Sequence, residues 1–439
     1  MQHHPPIASA FKREFGDWRL WWTRSVVIAA AALAGLTVTA FTWLSEYAMR
    51  CFFDLRAFAW WSPLIWTPLC AGVIVWITRR YADGASGSGI PQVMAALDPA
   101  VFPENRGLFV SLKLTMMKIG LTAWGLLAGL SVGREGPSVQ IAAGVMLSAR
   151  RWLPKHPAVT VQGLLVAGGA AGIAAAFNTP LGGVMFAIEE LSRTPEQRNS
   201  GLIITAIVLA GLIAMSIYGT GTYFGVIHVG GVSFSLLGPG LLVAAASGVA
   251  GGIFSRLLIV SFSGLSADRP SRFRLRRPVL FAAACGLAVA IMGTLTGGAV
   301  FGGGYSHTRN MLAGTESVPM VYVAFKFLVT WLTSWSGVPA GIFSPSLAIG
   351  AALGNDVALL THYPHAPALI ALGMAGFLAA TTQAPLTAFI IVMEMVDGHE
   401  MVLSLMICAL IASAISRLLS QPLYTSLAQL QLRRLPANP

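Results

Sequence analysis

Residues 118–143 read KIGLTAWGLLAGLSVGREGPSVQIAA, and residues 326–351 read KFLVTWLTSWSGVPAGIFSPSLAIGA. When the second stretch is laid on the first, polar and helix-breaking residues coincide at Lys118/Lys326, Thr122/Thr330, Gly133/Gly341, Pro137/Pro345 and Ser138/Ser346. Lysine is rare inside apolar segments, so these matches carry more weight than the coinciding alanines and isoleucines. The chain therefore contains an internal repeat.

The repeat continues with a second group of matches, at Pro180/Pro385, Leu181/Leu386 and Glu189/Glu394. Two related halves in one apolar chain are typical of transporters, whose binding sites lie at the repeat interface near the bilayer midplane. We predict one membrane domain over 1–439. Its first half covers about 25–218, its second about 236–419, and a C-terminal helix at about 421–434 contributes to the ion pathway.

Composition assigns the chain to the membrane proteins. Of its 439 residues, 55% are hydrophobic and only 10% are charged, and the mean hydropathy is +0.71. Soluble domains carry about 25% charged residues. We predict an all-α polytopic membrane protein in contact with the lipid bilayer, and no enzyme, because neither a nucleophile–base constellation nor a nucleotide motif is visible.

The formal net charge of +11 reflects topology rather than nucleic-acid binding. Basic residues cluster at the ends of apolar runs, as the positive-inside rule expects of cytoplasmic segments. They predict cytoplasmic N- and C-termini and cytoplasmic loops, from Lys12, Arg13, Arg19 and Arg24, from Arg79 and Arg80, from the arginines of 269–277, and from Arg433 and Arg434.

No metal or cofactor site is predicted. The four cysteines lie far apart in the sequence and form no CxxC pair, which argues against a disulfide framework or a metal site. His362 and His365 share one loop, but an isolated pair of histidines is weak evidence for a metal.

Four short motifs could carry chemistry: GSGIP at 87–91, GREGPS at 133–138, GIFSP at 341–345 and PLY at 422–424. The first three combine glycine with proline just before an apolar run. A helix start exposes unpaired N–H groups and the positive end of a dipole, which bind anions. Such a site holds an ion without a full positive charge and also lets it leave. Taken singly, each motif could equally be an ordinary break in a packed helix bundle.

Together and in this order, the four motifs resemble those of the CLC family of chloride channels and chloride/proton exchangers. The resemblance covers roughly residues 25–430. It implies the CLC fold, an inverted-topology repeat with many tilted and broken helices. It also implies a homodimer with one pore per subunit. The prokaryotic type, without appended domains and in a bacterial inner membrane, is expected.

The resemblance also assigns the anion site. Ser88 and Tyr424 resemble the two hydroxyl ligands of a central chloride, and the backbone amides of Ile342 and Phe343 would complete that site. Glu135 resembles the gating glutamate, whose carboxylate competes with chloride. The alternative for Glu135 is a buried, salt-bridged structural acid.

A second glutamate resembles the internal proton-transfer residue of CLC exchangers, namely Glu190. From composition alone, Glu189 and Glu190 would be two solvated acids at a cytoplasmic helix end. Family channels commonly have a non-ionisable residue at the second position, so Glu190 favours chloride/proton exchange over a passive chloride channel, which stays the alternative. Glu189 is expected to tie its helix end to a nearby arginine.

Three further residues have expected supporting roles, and one has none. Arg134 is expected beside the outer entrance, or simply at a helix end. Lys118 is expected to favour nearby anions without being a ligand, whereas Lys326 has no predicted role. Gln92 stands where related exchangers often carry an acid. A fluoride exporter of the same superfamily is disfavoured by the intact GSGIP motif and by Tyr424.

Overall fold

The computed structural model describes residues 18–154, 159–192, 200–219, 221–227, 234–264 and 268–433. Lys12, Arg13 and Arg434 lie outside these residues, and the cytoplasmic placement of the termini stays a prediction. Within the described residues the secondary structure is helical apart from one isolated β-bridge. The eighteen α-helices are α1 (Trp18–Phe58), α2 (Ser62–Tyr81), α3 (Ile90–Leu97), α4 (Leu112–Leu127), α5 (Glu135–Ser148), α6 (Val161–Phe177), α7 (Pro180–Phe186), α8 (Ser200–Tyr218), α9 (Leu237–Ser263), α10 (Arg269–Arg276), α11 (Pro278–Leu295), α12 (Tyr305–Leu312), α13 (Val321–Ser336), α14 (Phe343–Thr361), α15 (Ala366–Thr382), α16 (Pro385–Val396), α17 (Val402–Leu419) and α18 (Leu423–Leu432).

The predicted all-α multi-pass membrane fold is confirmed. Eight candidate spans in the described chain are long and apolar enough to cross a bilayer. Others, such as α6 and α15, are apolar but shorter, and crossing about 30 Å of hydrocarbon takes about 20 helical residues. Such incomplete helices are tolerated in a membrane because their ends are buried within the protein.

Two long apolar stretches, 159–190 and 366–396, are each broken in the same way. The first helix of each stretch ends at a residue in the left-handed conformation, Asn178 with φ 60° and Gln383 with φ 61°. A proline then opens the next helix two residues later. A left-handed cap ends a helix, and proline fits the first turn of a new one. The repeat therefore extends to the helix breaks.

The two halves meet at a pair of glycines that the repeat aligns with each other. Gly133 N–H donates to the carbonyl of Gly341 at 2.8 Å, and Gly341 N–H donates back to Gly133 at 3.0 Å, forming the antiparallel bridge. A Cβ on Gly341 would lie 2.6 Å from the Gly133 carbonyl oxygen, so a side chain would prevent this approach. The N-termini of α5 and α14, which begin two residues later, therefore converge.

Two glutamates connect the halves a second time. Glu189 accepts hydrogen bonds from the backbone amides of Leu386 and Thr387, at the start of α16, at 3.1 and 2.7 Å. Glu394 accepts from two amides at the start of α7 at the same two distances. The prediction that Glu189 pairs with an arginine is thus wrong among the described residues. The first amides of a helix lack intrahelical acceptors, and a carboxylate satisfies them there.

A candidate anion site where helix N-termini meet

A cavity of about 60 Å³ brings together residues from three separate motifs. Ser88 precedes α3, Ile342 caps α14, and Tyr424 lies in the first turn of α18; all three line this cavity. Among its described lining residues none carries a charge. An anion here would be held by dipoles and uncharged donors, which suits an ion that must also leave.

Three of the lining hydroxyls have unused hydrogen-bonding capacity. Ser88 Oγ, Ser334 Oγ and Tyr424 Oη are buried and make no hydrogen bond with the described residues. Buried polar atoms are nearly always paired, so three unpaired hydroxyls on one small cavity call for an explanation. Each hydroxyl has one proton to donate, as an anion requires.

The loop that carries Ser88 is held in place from three sides. A Cβ on Gly136, in the first turn of α5, would lie 2.3 Å from Ser88 Oγ, so only glycine leaves room for the hydroxyl. Lys118, which is fully buried, donates from Nζ to two carbonyls of this loop, at 2.8 and 2.6 Å. Gln92, which stands where related exchangers often carry an acid, donates from its side-chain amide to the carbonyl of Ser86. Lys118 therefore holds the Ser88 loop by binding the backbone carbonyls of that loop.

The predicted ligand Phe343 lies next to this cavity as the first residue of α14. Its ring packs against Tyr424, with ring centroids 6.0 Å apart, and against the rings of Phe177 and Phe186 at 6.2 and 6.4 Å. The cluster fixes the start of α14 relative to α18. The structure thus brings all four predicted chloride ligands together.

Glu135, at the start of α5, is fully buried and lies against the start of α14. Ser344 Oγ donates to Glu135 Oε1 at 2.5 Å, and Ser344 N–H lies 3.4 Å from Oε2. A helix N-terminus attracts negative charge. The side-chain carboxylate of α5 thus lies where the free amides of α14 would receive an anion.

Arg134 forms a three-way contact beside Glu135. It donates from Nη1 to Glu46 Oε1 at 2.8 Å and from Nη2 to the hydroxyl of Tyr223 at 2.9 Å. Its guanidinium carbon lies 5.6 Å from the centroid of the Tyr223 ring, and its Nε lies 3.9 Å from Glu135 Oε1. Glu135 therefore has a cationic neighbour, but its short hydrogen bond goes to Ser344.

Glu190 lines a second cavity, which contacts a different face of α18 from the small cavity. Its environment differs from that of Glu189. Glu190 belongs to a single π-helical turn that follows α7, and the cavity that it lines has a volume of about 700 Å³. Asp98, Gln162 and Thr425 line the same cavity. Single π-turns often mark functional sites because they change the direction of successive side chains.

Sequence reasoning did not single out three residues of this region: Ser344, Glu46 and Tyr223. Ser344 is part of the GIFSP motif and could have been found as a first-turn hydroxyl at a helix start. Glu46 is an acid within an apolar run, which is itself a signal. Tyr223 lies in a loop, and nothing in its neighbouring sequence distinguishes it.

Comparison with known proteins gives a consistent picture. The family model for voltage-gated chloride channels matches residues 70–417. The H⁺/Cl⁻ exchange transporter ClcA of Vibrio parahaemolyticus is 31% identical over 385 residues, covering 84% of this chain and 79% of the relative. ClcA of Citrobacter koseri is 29% identical, covering 92% and 87%.

Solved structures share the fold. A slow cyanobacterial Cl⁻/H⁺ antiporter superposes with a TM-score of 0.81 at 24% identity, covering 94% of this chain and 99% of the antiporter. A CLC-type fluoride/proton antiporter superposes with a TM-score of 0.75 at 21% identity, covering 91% and 96%. Because the two neighbours differ in the anion that they carry, the fold alone does not decide between chloride and fluoride.

Proposed function

The chain belongs to the voltage-gated chloride channel (CLC) family, and we propose that it exchanges chloride for protons across the membrane. The observation that carries the proposal is the position of Glu135. Its carboxylate lies on the first turn of α14, beside a small uncharged cavity with three unpaired hydroxyls. A titratable group and an anion site therefore share one helix start, so proton binding and anion binding occur at the same place.

Chloride binds in the 60 Å³ cavity in this proposal. Ser88 and Tyr424 direct their free hydroxyl protons to it, and the backbone amides of Ile342 and Phe343 supply further donors. The positive ends of the helix dipoles contribute without a fixed cation. The names of the sequence relatives favour chloride over fluoride as the transported anion.

Glu135 acts as the gate. As a carboxylate it occupies the start of α14 and blocks the anion there. When it is protonated it loses its charge, the attraction to the helix N-terminus weakens, and chloride takes its place. One proton is therefore bound each time the carboxylate releases the pathway.

Glu190 delivers the proton. Its cavity of about 700 Å³ is large enough to hold water and also reaches Thr425, the neighbour of Tyr424. A proton that passes from water into a dry region needs an acid near the boundary whose charge can change. Glu190 meets that requirement, whereas Glu189 is occupied as a cap of α16.

Paired flux measurements test the function. The protein is reconstituted into liposomes, and chloride and proton electrodes in the same vessel record both ions. An exchanger moves protons uphill when chloride flows down its gradient. Chloride flux with no proton movement would contradict exchange and favour the passive channel.

We propose a homodimer in a bacterial inner membrane with both termini in the cytoplasm. The homodimer follows from family membership, and the location from the bacterial relatives and the positive-inside rule. Light scattering on the purified protein tests the oligomeric state. Protease accessibility of terminal tags in oriented vesicles tests the topology.

A further inference from the structure

Lys326, in the middle of α13, is fully buried and has no part in the mechanism above. Its Nζ donates to the carbonyls of Val300 and Gly302, at 3.0 and 2.6 Å. Both carbonyls belong to the loop between α11 and α12. A buried amine is costly unless it is hydrogen-bonded, so the lysine and the loop stabilise each other's position.

The loop held by Lys326 packs on the first turns of α14. A Cβ on Gly303 would lie 3.3 Å from the Cβ of Ser344, which makes Gly303 a direct neighbour of that serine. A Cβ on Gly304 would lie 2.5 Å from Ala348 Cβ and 3.4 Å from Lys326 Cε. The loop therefore packs on the start of α14 at Ser344, the residue that hydrogen-bonds to the gating carboxylate.

The first half of the chain contains the same device. Lys118 donates to the carbonyls of Ala85 and Gly87, at 2.8 and 2.6 Å, in the loop before α3. In both halves a buried lysine binds two carbonyls that are two residues apart, and the next residue touches the proposed site. Ser88 lines the small cavity in the first half, and Gly303 packs against Ser344 in the second.

We propose that Lys326 is a positioning residue of the gate. By fixing the loop at Gly302 it holds Gly303 against Ser344, and Ser344 in turn holds the Glu135 carboxylate on the start of α14. The inference rests on the proposed gating role of Glu135. Lys118 and Lys326 then perform one task twice: the former positions a chloride hydroxyl ligand, and the latter positions the hydroxyl that retains the gate.

The first test is Lys326→Met in the full-length protein, with chloride and proton fluxes recorded together from liposomes. Without the support of the loop, Ser344 retains the carboxylate less well and chloride passes without a proton. We expect the ratio of chloride to protons moved to rise by about threefold or more. Lys326→Arg, which keeps N–H donors for the same carbonyls, is expected to restore the wild-type ratio. A fault that only lowers the folded fraction reduces both fluxes in proportion and leaves the ratio unchanged.

A second variant perturbs the same contact without touching the lysine. Gly303→Ala places a methyl group 3.3 Å from Ser344 Cβ, so the serine must shift, and we expect the ratio to rise as in Lys326→Met. Gly120→Ala is the matched control, because a Cβ there meets no neighbour within 4 Å, and it should keep the wild-type ratio.

The outcomes separate this inference from the proposed function. If Glu135→Gln abolishes proton movement while Gly303→Ala and the folded Lys326 variants keep the wild-type ratio, the positioning role is overturned and the gate stands. If Glu135→Gln leaves protons moving, the gate itself fails. A raised ratio in Gly303→Ala, with a normal ratio in Gly120→Ala, supports the positioning role even if Lys326→Met does not fold.

Discussion

Where the two halves meet, residues 133–138 read GREGPS and residues 341–346 read GIFSPS. The glycine, the proline and the final serine are common to both, and the two glycines hydrogen-bond to each other across the interface. The arginine and the glutamate of the first half align with an isoleucine and a phenylalanine in the second. One backbone arrangement thus carries two charged side chains in the first half and none in the second.

The same contrast recurs elsewhere in the repeat. Residues shared by both halves hold the architecture: Gly133/Gly341, Pro137/Pro345, Lys118/Lys326, Glu189/Glu394 and the left-handed caps Asn178/Gln383. Residues without a like residue in the other half have the proposed transport roles. Glu135 aligns with Phe343 and Glu190 with Met395, and Ser88 corresponds to Gly303 through the loops that Lys118 and Lys326 bind. The comparison teaches that positions shared by both halves build and hold the site, whereas the proposed ion-binding and proton-carrying groups occur in one half only.

The largest effect is expected when the carboxylate that the second half lacks is removed. Glu135→Gln leaves Arg134 as the one charged residue of the first motif and keeps the size of the side chain at 135. Proton flux from liposomes should fall to that of protein-free vesicles, and chloride flux should persist because no carboxylate blocks the path. Loss of both fluxes in a variant with the wild-type elution profile would make Glu135 a structural acid.

The next effect concerns the adjacent glutamates, of which only Glu189 has a glutamate counterpart in the second half. Glu190→Gln removes a titratable group from the 700 Å³ cavity and is expected to stop proton transport while chloride still moves. Glu189→Gln is the control and should keep proton transport. Uphill proton movement by Glu190→Gln, measured with both electrodes, would refute the proton role.

A smaller effect is expected at the chloride ligands. Ser88→Gly converts loop 87–89 into the glycine triplet of loop 302–304 and deletes one donor. A hydrogen bond to a charged group is worth about 1.5–3 kcal/mol, so chloride affinity measured by calorimetry should fall by about tenfold to about a hundredfold. Tyr424→Phe should cause a similar loss, whereas Tyr363→Phe, which is remote from the cavity, should bind chloride normally. Wild-type affinity in both site variants would exclude the hydroxyls as ligands.

The smallest effect is expected at the shared glutamates. Glu394→Gln and Glu189→Gln each weaken the cap of one helix, and each should lower the stability by about 1 kcal/mol. Because their hydrogen-bond distances match, the two variants should lower the thermal unfolding midpoint in detergent by similar amounts. A change in the chloride-to-proton ratio in either variant would contradict this prediction, because it would give a capping glutamate a part in coupling.

Much of this arrangement is predictable because the motifs are local. GSGIP, GREGPS and GIFSP each place glycine and proline at a helix start, and the repeat shows which starts are equivalent. Packing over long sequence distances is not predictable in this way. Glu46 and Arg134 meet only because α1 packs beside the start of α5, and Ser344 meets Glu135 only because two helix starts converge. The prediction of an arginine partner for Glu189 was wrong for the same reason, because Glu189 binds a helix start in the other half.

The reciprocal glutamate caps have a consequence for biosynthesis. The start of α7 is capped by Glu394, and the start of α16 is capped by Glu189, so each half supplies a part that the other lacks. A nascent chain that has emerged from the ribosome only as far as the end of α8 lacks the carboxylate that caps α7 in the folded protein. The cap of α7 can therefore form only after the chain has been synthesised as far as Glu394 in α16. In the complete protein each half caps a helix of the other, so the halves cannot separate without breaking both caps.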